Sequence, residues 1–166
     1  HTLCAMIDST GNPIEGQYTG MDSPVGALCI FATDETITKV TWHHTTTRSN
    51  SPVLSRAVEQ LKAYFAGDLT DFDLPLAPTG GPFQLKVCAA MSRIPFGQTT
   101  TYGTIAAELG SAAQPIGNAC GGNSIPIIIP CHRVLAANGL GGFSGAGGVE
   151  TKIALLKHED AFRYLL

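Results

Sequence analysis

The chain has 166 residues, 44% of them hydrophobic and 14% charged, and carries a net charge of −3. That length and composition fit one domain or two small ones with a real core, and they exclude a disordered chain. No apolar stretch approaches the roughly 18 residues that a bilayer span needs, and the net charge by itself argues against a nucleic-acid binder.

The charge is unevenly spread. Residues 1–81 carry four basic against nine acidic side chains and residues 82–166 six against four, so the halves stand at −5 and +2. Such asymmetry suggests two jobs, and the mild positive charge of the second half predicts a modest, salt-dependent affinity for any DNA. Residues 1–6 lack the basic region and apolar core of a signal peptide, and a start without Met reads as a trimmed or tag-derived end. The five cysteines (Cys4, Cys29, Cys88, Cys120 and Cys131) are odd in number and irregularly spaced. That usage predicts free thiols in a reducing compartment, hence a cytoplasmic protein, and not a disulfide framework.

The first 50 residues read as strands, with β-rich runs at 26–32 and 37–42 joined by the hairpin-like Thr33-Asp34-Glu35-Thr36. A helix is predicted over 51–66, capped by Ser51, with Pro52 at its first position and Leu54, Val58, Leu61 and Phe65 at helical spacing. The proline- and glycine-rich stretch over 68–82 reads as a connection. It divides the chain into an N-terminal domain, 1–74, a linker, 75–81, and a second domain, 82–166. That second domain reads as mainly helical. Helices are predicted over 82–91, with Phe83, Val87 and Ala90 on one face, and over 101–109. The turn Gly110-Ser111 and a short segment over 112–121 complete the outline of a helix-turn-helix. The apolar run Ile125 to Ile129 is predicted as a buried strand, followed by a Gly-rich loop over 138–148 and a closing helix from Val149 to about Phe162.

Pro130-Cys131-His132-Arg133-Val134 directly follows that apolar run, and a given pentapeptide arises by chance in a chain of this length with odds on the order of 10⁻⁴ or below. Cys131 beside His132 suggests a nucleophile, because a free thiol is only slightly ionised at neutral pH and needs a base beside it. Neighbouring residues on extended chain point apart, so a water is the natural link between them. A histidine base needs an orienting group, and Glu159 in Leu155-Leu156-Lys157-His158-Glu159 is the candidate, although a helical glutamate is more often a solvated surface charge. Cys88 and Cys120 read as structural thiols within helices.

Asn123, the run Pro126 to Val134, Gly141-Gly142-Phe143-Ser144 and Leu155 to Glu159 together resemble the O6-alkylguanine-DNA alkyltransferases (methylated-DNA–protein-cysteine methyltransferases). Phe83-Gln84 and Thr101 to Ala106 match in order. The resemblance is strong over 82–166, and over 20–80 it holds only in outline, including Ala63 to Gly67. It implies a small α/β, ribonuclease H-like N-terminal domain, with an antiparallel sheet plus a helix, before a mainly α domain carrying the helix-turn-helix. It also implies direct repair of double-stranded DNA by a monomer. Cys131 would take the alkyl group from O6-alkylguanine, and from O4-alkylthymine, irreversibly and once. His132 would deprotonate Cys131, Glu159 would orient His132, and Asn123 would tie the helix-turn-helix to the acceptor segment. Tyr102 and Ser144 would hydrogen-bond the extruded guanine, and Pro126 and Val134 would wall its pocket. Thr101, Ala113, Gln114, Gly117 and Arg133 would face DNA. The chemistry agrees: a phenol is a proton donor at neutral pH, and a base inside a duplex must be flipped out before its O6 can be reached.

One position departs from the family pattern. Gln114 stands where an arginine enters the base stack, after a loop about two residues shorter, and residues 112–123 contain no Lys or Arg. Glutamine brings neither charge nor a planar cation, so weaker binding and less efficient flipping are expected. Pro115 suggests a helix that starts there, with Gln114 flanking it. The small residues Ala112, Ala113, Gly117 and Ala119 allow close approach to a backbone, with helix-start amides on phosphate. No cofactor or metal is expected. Cys4, Cys29, His43 and His44 are metal-capable, but their spacing matches no closed zinc site. Two other functions compete: a sensor that binds alkylated bases without repairing them, and a cysteine hydrolase or redox enzyme. The acceptor cysteine speaks against the first, and the helix-turn-helix and the lack of a resolving cysteine near Cys131 against the second.

Overall fold

In the computed structural model, residues 16–45 and 51–161 are described. They form two compact units, one built on the chain up to 69 together with 73–77, the other on 70–72 together with 78 onward.

The first unit holds three antiparallel strands in the order β1 (Gln17–Met21), β2 (Leu28–Thr33) and β3 (Thr36–Thr41). β2 is central and buried along all but its last residue, as its apolar run demands. Asp34 and Glu35 turn β2 into β3 with φ of 52° and 56°, the positive values that a two-residue hairpin of matching twist requires. Helix α1 (Pro52–Ala66) buries Val53, Leu54, Ala57, Leu61 and Tyr64, so Tyr64, not Phe65, completes its core stripe. Ser51 is the N-cap residue but its side chain caps nothing. Its hydroxyl donates to Glu35 Oε2 at 2.6 Å, while Glu35 Oε1 accepts the Val53 N–H at 3.2 Å. The hairpin turn thus supplies the cap, with a carboxylate at the positive end of the helix. Residues 75–77, expected as linker, pair with the sheet: Ile37 N–H donates to Pro75 O and Ala77 N–H to Ile37 O, both at 2.8 Å.

The second unit contains α2 (Pro82–Ser92), β4 (Thr100–Thr101), α3 (Tyr102–Leu109), α4 (Ala113–Gly121), a 3-10 turn (Cys131–Arg133), β5 (Val134–Leu135) and α5 (Val149–His158). Thr101 caps α3 by accepting the Thr104 N–H at 3.1 Å, and Gly110, at φ 65°, ends it and turns the chain into α4. The helix-turn-helix is α3 and α4. β4 pairs in parallel with β5, Thr100 with Val134 and Thr101 with Leu135, so the residue before Tyr102 is bonded to the segment after Cys131.

Three sequence expectations differ from the structure in this unit. α4 starts at Ala113, with Ala112 as N-cap, so Gln114 and Pro115 lie inside its first turn. The first-turn N–H groups have no helical partner, and a proline there costs no hydrogen bond. The run Ile125 to Ile129 is not a strand but a tight turn closed by Ile129 N–H to Ile125 O at 2.9 Å, with Ile127 at φ 73°. Pro126 and Pro130 remove two donors that a strand ladder would use. α5 ends at His158 and leaves Glu159 at its C-cap, while Phe162, the expected end, lies outside the described residues. No described helix is long and apolar enough to cross a membrane.

Candidate active site

Asn123 builds the acceptor turn. Its Nδ2 donates to Ile129 O at 2.8 Å and its Oδ1 accepts the Ile125 N–H at 3.0 Å, so one buried amide spans both ends of the apolar run. It replaces the partner strand that these backbone groups lack. The turn delivers Cys131, 5% exposed, on the 3-10 turn instead of at a strand end. Burial pushes the Cys131 thiol up, and the Asn123 amide and the nearby Lys152 charge only partly oppose this. At rest Cys131 is therefore a neutral thiol, which needs a base at the moment of reaction.

His132, fully buried, lies 2.7 Å through Nε2 from Glu159 Oε2. Burial lowers its pKa and outweighs the hydrogen bond and charge of Glu159, so the ring is neutral. Glu159 is drawn down to about 2: burial pushes it up, and the bonds from His132 and Arg133 more than reverse that. An ionised carboxylate can only accept, so the neutral ring must carry its proton on Nε2. The Nδ1 lone pair is left as the basic atom, and it has no partner in the protein among the described residues.

Arg133 holds the carboxylate. Its Nε donates to Glu159 Oε1 at 2.8 Å, one terminal nitrogen to Oε2 at 2.9 Å, and the other to Ile94 O at 2.6 Å. The guanidinium lies 5.8 Å from the Phe96 ring centroid. Arg133 was expected to face DNA. It is instead 6% exposed with all its nitrogens engaged inward, because a buried Glu159 needs a full cation beside it. That cation also makes the ionisation of Glu159 independent of a charged His132.

Sequence reasoning missed Lys152. It is fully buried, and its Nζ donates to Val134 O at 2.7 Å and Gly142 O at 3.1 Å, tying the Gly-rich loop to β5. Burial lowers it to about 8, against the opposing pull of Cys131 and Cys120. A signal was present: Lys152, Leu155, Leu156 and Glu159 share one face of the closing helix, which puts two charges on a core stripe. The loop closes on Tyr102. A Cβ on Gly141, at φ 73°, would lie 2.7 Å from Tyr102 Oη, so only glycine lets the loop reach the phenol. Burial raises the Tyr102 pKa, with Cys120 and Cys131 adding to it, so its hydroxyl stays a donor at neutral pH.

These parts enclose a cavity of about 400 Å³ lined by Tyr102, Gly117, Cys120, Gly121, Cys131 and residues 142–144. Cys131, Tyr102, Ser144 and Gly117 are thus brought together, with His132, Glu159 and Asn123 packed behind. Pro126 and Val134, expected as walls, do not line it. Pro126 is spent on the acceptor turn, and Val134 is buried in β5 with its carbonyl on Lys152.

Comparison with known proteins decides the family. Residues 82–161 match the DNA-binding domain of 6-O-methylguanine DNA methyltransferase, and residues 17–78 its ribonuclease-like domain. The chain belongs to the 6-O-methylguanine DNA methyltransferase family. A methylated-DNA–protein-cysteine methyltransferase of Mycolicibacterium paratuberculosis is 41% identical over 86% of this chain and 92% of its own length. The constitutive Bacillus subtilis protein of the same description is 40% identical over 86% of this chain and 94% of its own. The crystal structure of Mycobacterium tuberculosis OGT in complex with DNA superposes with a TM-score of 0.77, at 42% identity over 87% of this chain and 92% of that one.

Ala113, Gln114 and Pro115 are exposed at the start of α4, and Thr101, half-buried, spends its hydroxyl on capping α3. Among the described residues no three His, Cys, Asp or Glu side chains are grouped to hold a metal ion. Cys4 lies outside them.

Proposed function

We propose that this chain repairs double-stranded DNA by moving the alkyl group from the O6 of guanine, and from the O4 of thymine, to Cys131 Sγ in one irreversible turnover. One observation carries the reading: a buried cysteine opens onto a base-sized cavity, with an oriented neutral histidine as the adjoining residue. The family's DNA-binding domain, spanning the helix-turn-helix, agrees with it. The extruded guanine enters between Tyr102 and the loop at Ser144. The Cys131 proton passes to His132 Nδ1 through a water, and Glu159 stabilises the cation that forms. The S–C bond forms as the C–O6 bond breaks. The electron pair leaves with the guanine, which takes up a proton supplied through Tyr102. The S-alkylcysteine has no route back to a thiol, so the chain acts once.

α4 docks on DNA, with Gln114 at the base stack and Ala113 and Gly117 close to the backbone. The reading has a monomer act in the cytoplasm, where Cys29, Cys88, Cys120 and Cys131 stay reduced. The test is incubation with duplex DNA containing O6-methylguanine, followed by intact-mass measurement. A mass increase of one methyl on Cys131 supports transfer. Binding without a mass change makes the chain a damage sensor, and the absence of both binding and mass change removes the reading altogether.

A further inference from the structure

α4 has an inner face beside its docking surface, with Gly117 shared between the two. Gly117, Cys120 and Gly121 fall at i, i+3 and i+4 on one side of the helix, and that side lines the acceptor cavity. Neither glycine is demanded by the fold. Neither has a positive φ, and a Cβ on either would meet nothing within 4 Å. Glycine is the poorest helix former after proline, so two of them inside a nine-residue helix weaken it without any packing reason. What their missing side chains leave is room in the cavity. Gly141 is the contrast, since there Tyr102 excludes any side chain.

Cys120 stands between the two glycines on this face and is 6% exposed. Burial first, and the neighbouring Cys131 second, push it up to about 12. Cys120 is thus a neutral thiol, and the oriented His132 adjoins Cys131 and not Cys120 in the chain, so Cys120 acts by its volume and not as a rival acceptor. The transferred carbon must lie against Cys131 Sγ, and substituents on that carbon fall on the walls beside it. The cavity, about 400 Å³, is within the range of whole small-molecule sites.

We propose that the Cys120–Gly121 part of this face sets which alkyl groups the pocket accepts, and that Cys120 is the limiting side chain. This rests on Cys131 being the alkyl acceptor. The experiment measures two rates of Cys131 labelling by intact mass, one with O6-methylguanine in duplex DNA and one with the free base O6-benzylguanine. The wild-type chain takes both groups. Cys120→Leu and Gly121→Ala each lower the benzyl-to-methyl rate ratio by about tenfold or more, and Cys120→Ala raises it by about twofold or more, on the scale of one methylene in an apolar pocket. The ratio is independent of how much of a variant folds. Benzyl transfer that is absent from the wild-type chain and stays absent in Cys120→Ala overturns the proposal. So does a ratio unchanged across the three variants, or a parallel loss of both rates in Gly121→Ala, which would assign that glycine to DNA approach. Absence of methyl transfer in the wild-type chain defeats the acceptor reading itself.

Discussion

From Asn123 to Val134 every residue except Ser124 is buried, whereas from Gly110 to Asn118 only Ile116 is. The first stretch holds its backbone by the Asn123 amide and its charges by the Arg133–Glu159–His132 contacts. The second holds a surface of small neutral residues, with Gln114 in the first turn of α4. The acceptor turn is therefore preorganised, with polar groups already oriented before substrate arrives, and that is where a single-turnover reaction gains its rate. The α4 surface offers shape and backbone amides but no cation. Chemistry and delivery are thus separable in this chain, and each can be broken without the other.

The largest effect falls on the acceptor. Cys131→Ser is expected to abolish labelling in the intact-mass assay while retaining binding to alkylated duplex, since the variant keeps α4 and the cavity. Next comes the buried pair. Arg133→Met removes the cation from a buried carboxylate, and such losses cost about 3–5 kcal/mol, readable by urea unfolding. The same change lifts the lowering influence of Arg133 on His132, so the acid limb of the labelling rate moves to higher pH. If stability falls and the limb stays in place, Arg133 is structural only.

Acid exposes the same contacts. Glu159 has a folded pKa of about 2 against an ordinary value of 4.5. A depressed carboxylate contributes stability that is complete above its unfolded value and is lost as pH falls through the folded one. Thermal unfolding should therefore show a loss between about pH 4.5 and 2 that Glu159→Gln lacks.

Much of this was legible in the sequence. Pro52, Gly67 and Gly110 marked the ends of helices, and Cys131, His132, Tyr102 and Ser144 were placed by motif. The acceptor run was misread because Ile125 to Ile129 has the composition of a strand. What overrides composition is a neighbouring side chain: Asn123, just before the run, supplies the bonds that a strand would take from a partner strand. Arg133 was expected at DNA from the resemblance, although a glutamate 26 residues on takes it. Glu35 as the cap of α1 was equally invisible, because a hairpin turn and a helix start meet only in three dimensions.

The smallest effect concerns delivery. Gln114→Arg should raise labelling of duplex DNA several-fold and steepen the salt dependence of binding by about one unit of slope, as one added phosphate contact does. Labelling by the free base O6-benzylguanine should not change, because no DNA is bound. A gain with the free base would place Gln114 in the chemistry and erase the division between chemistry and delivery.

The most direct measurement of the central claim is peptide mapping after exposure to excess duplex O6-methylguanine. The account predicts one methyl per chain, on Cys131 alone, with a plateau that more substrate does not raise. A methyl on Cys120 or Cys88, or continued consumption of substrate past one equivalent, would contradict it.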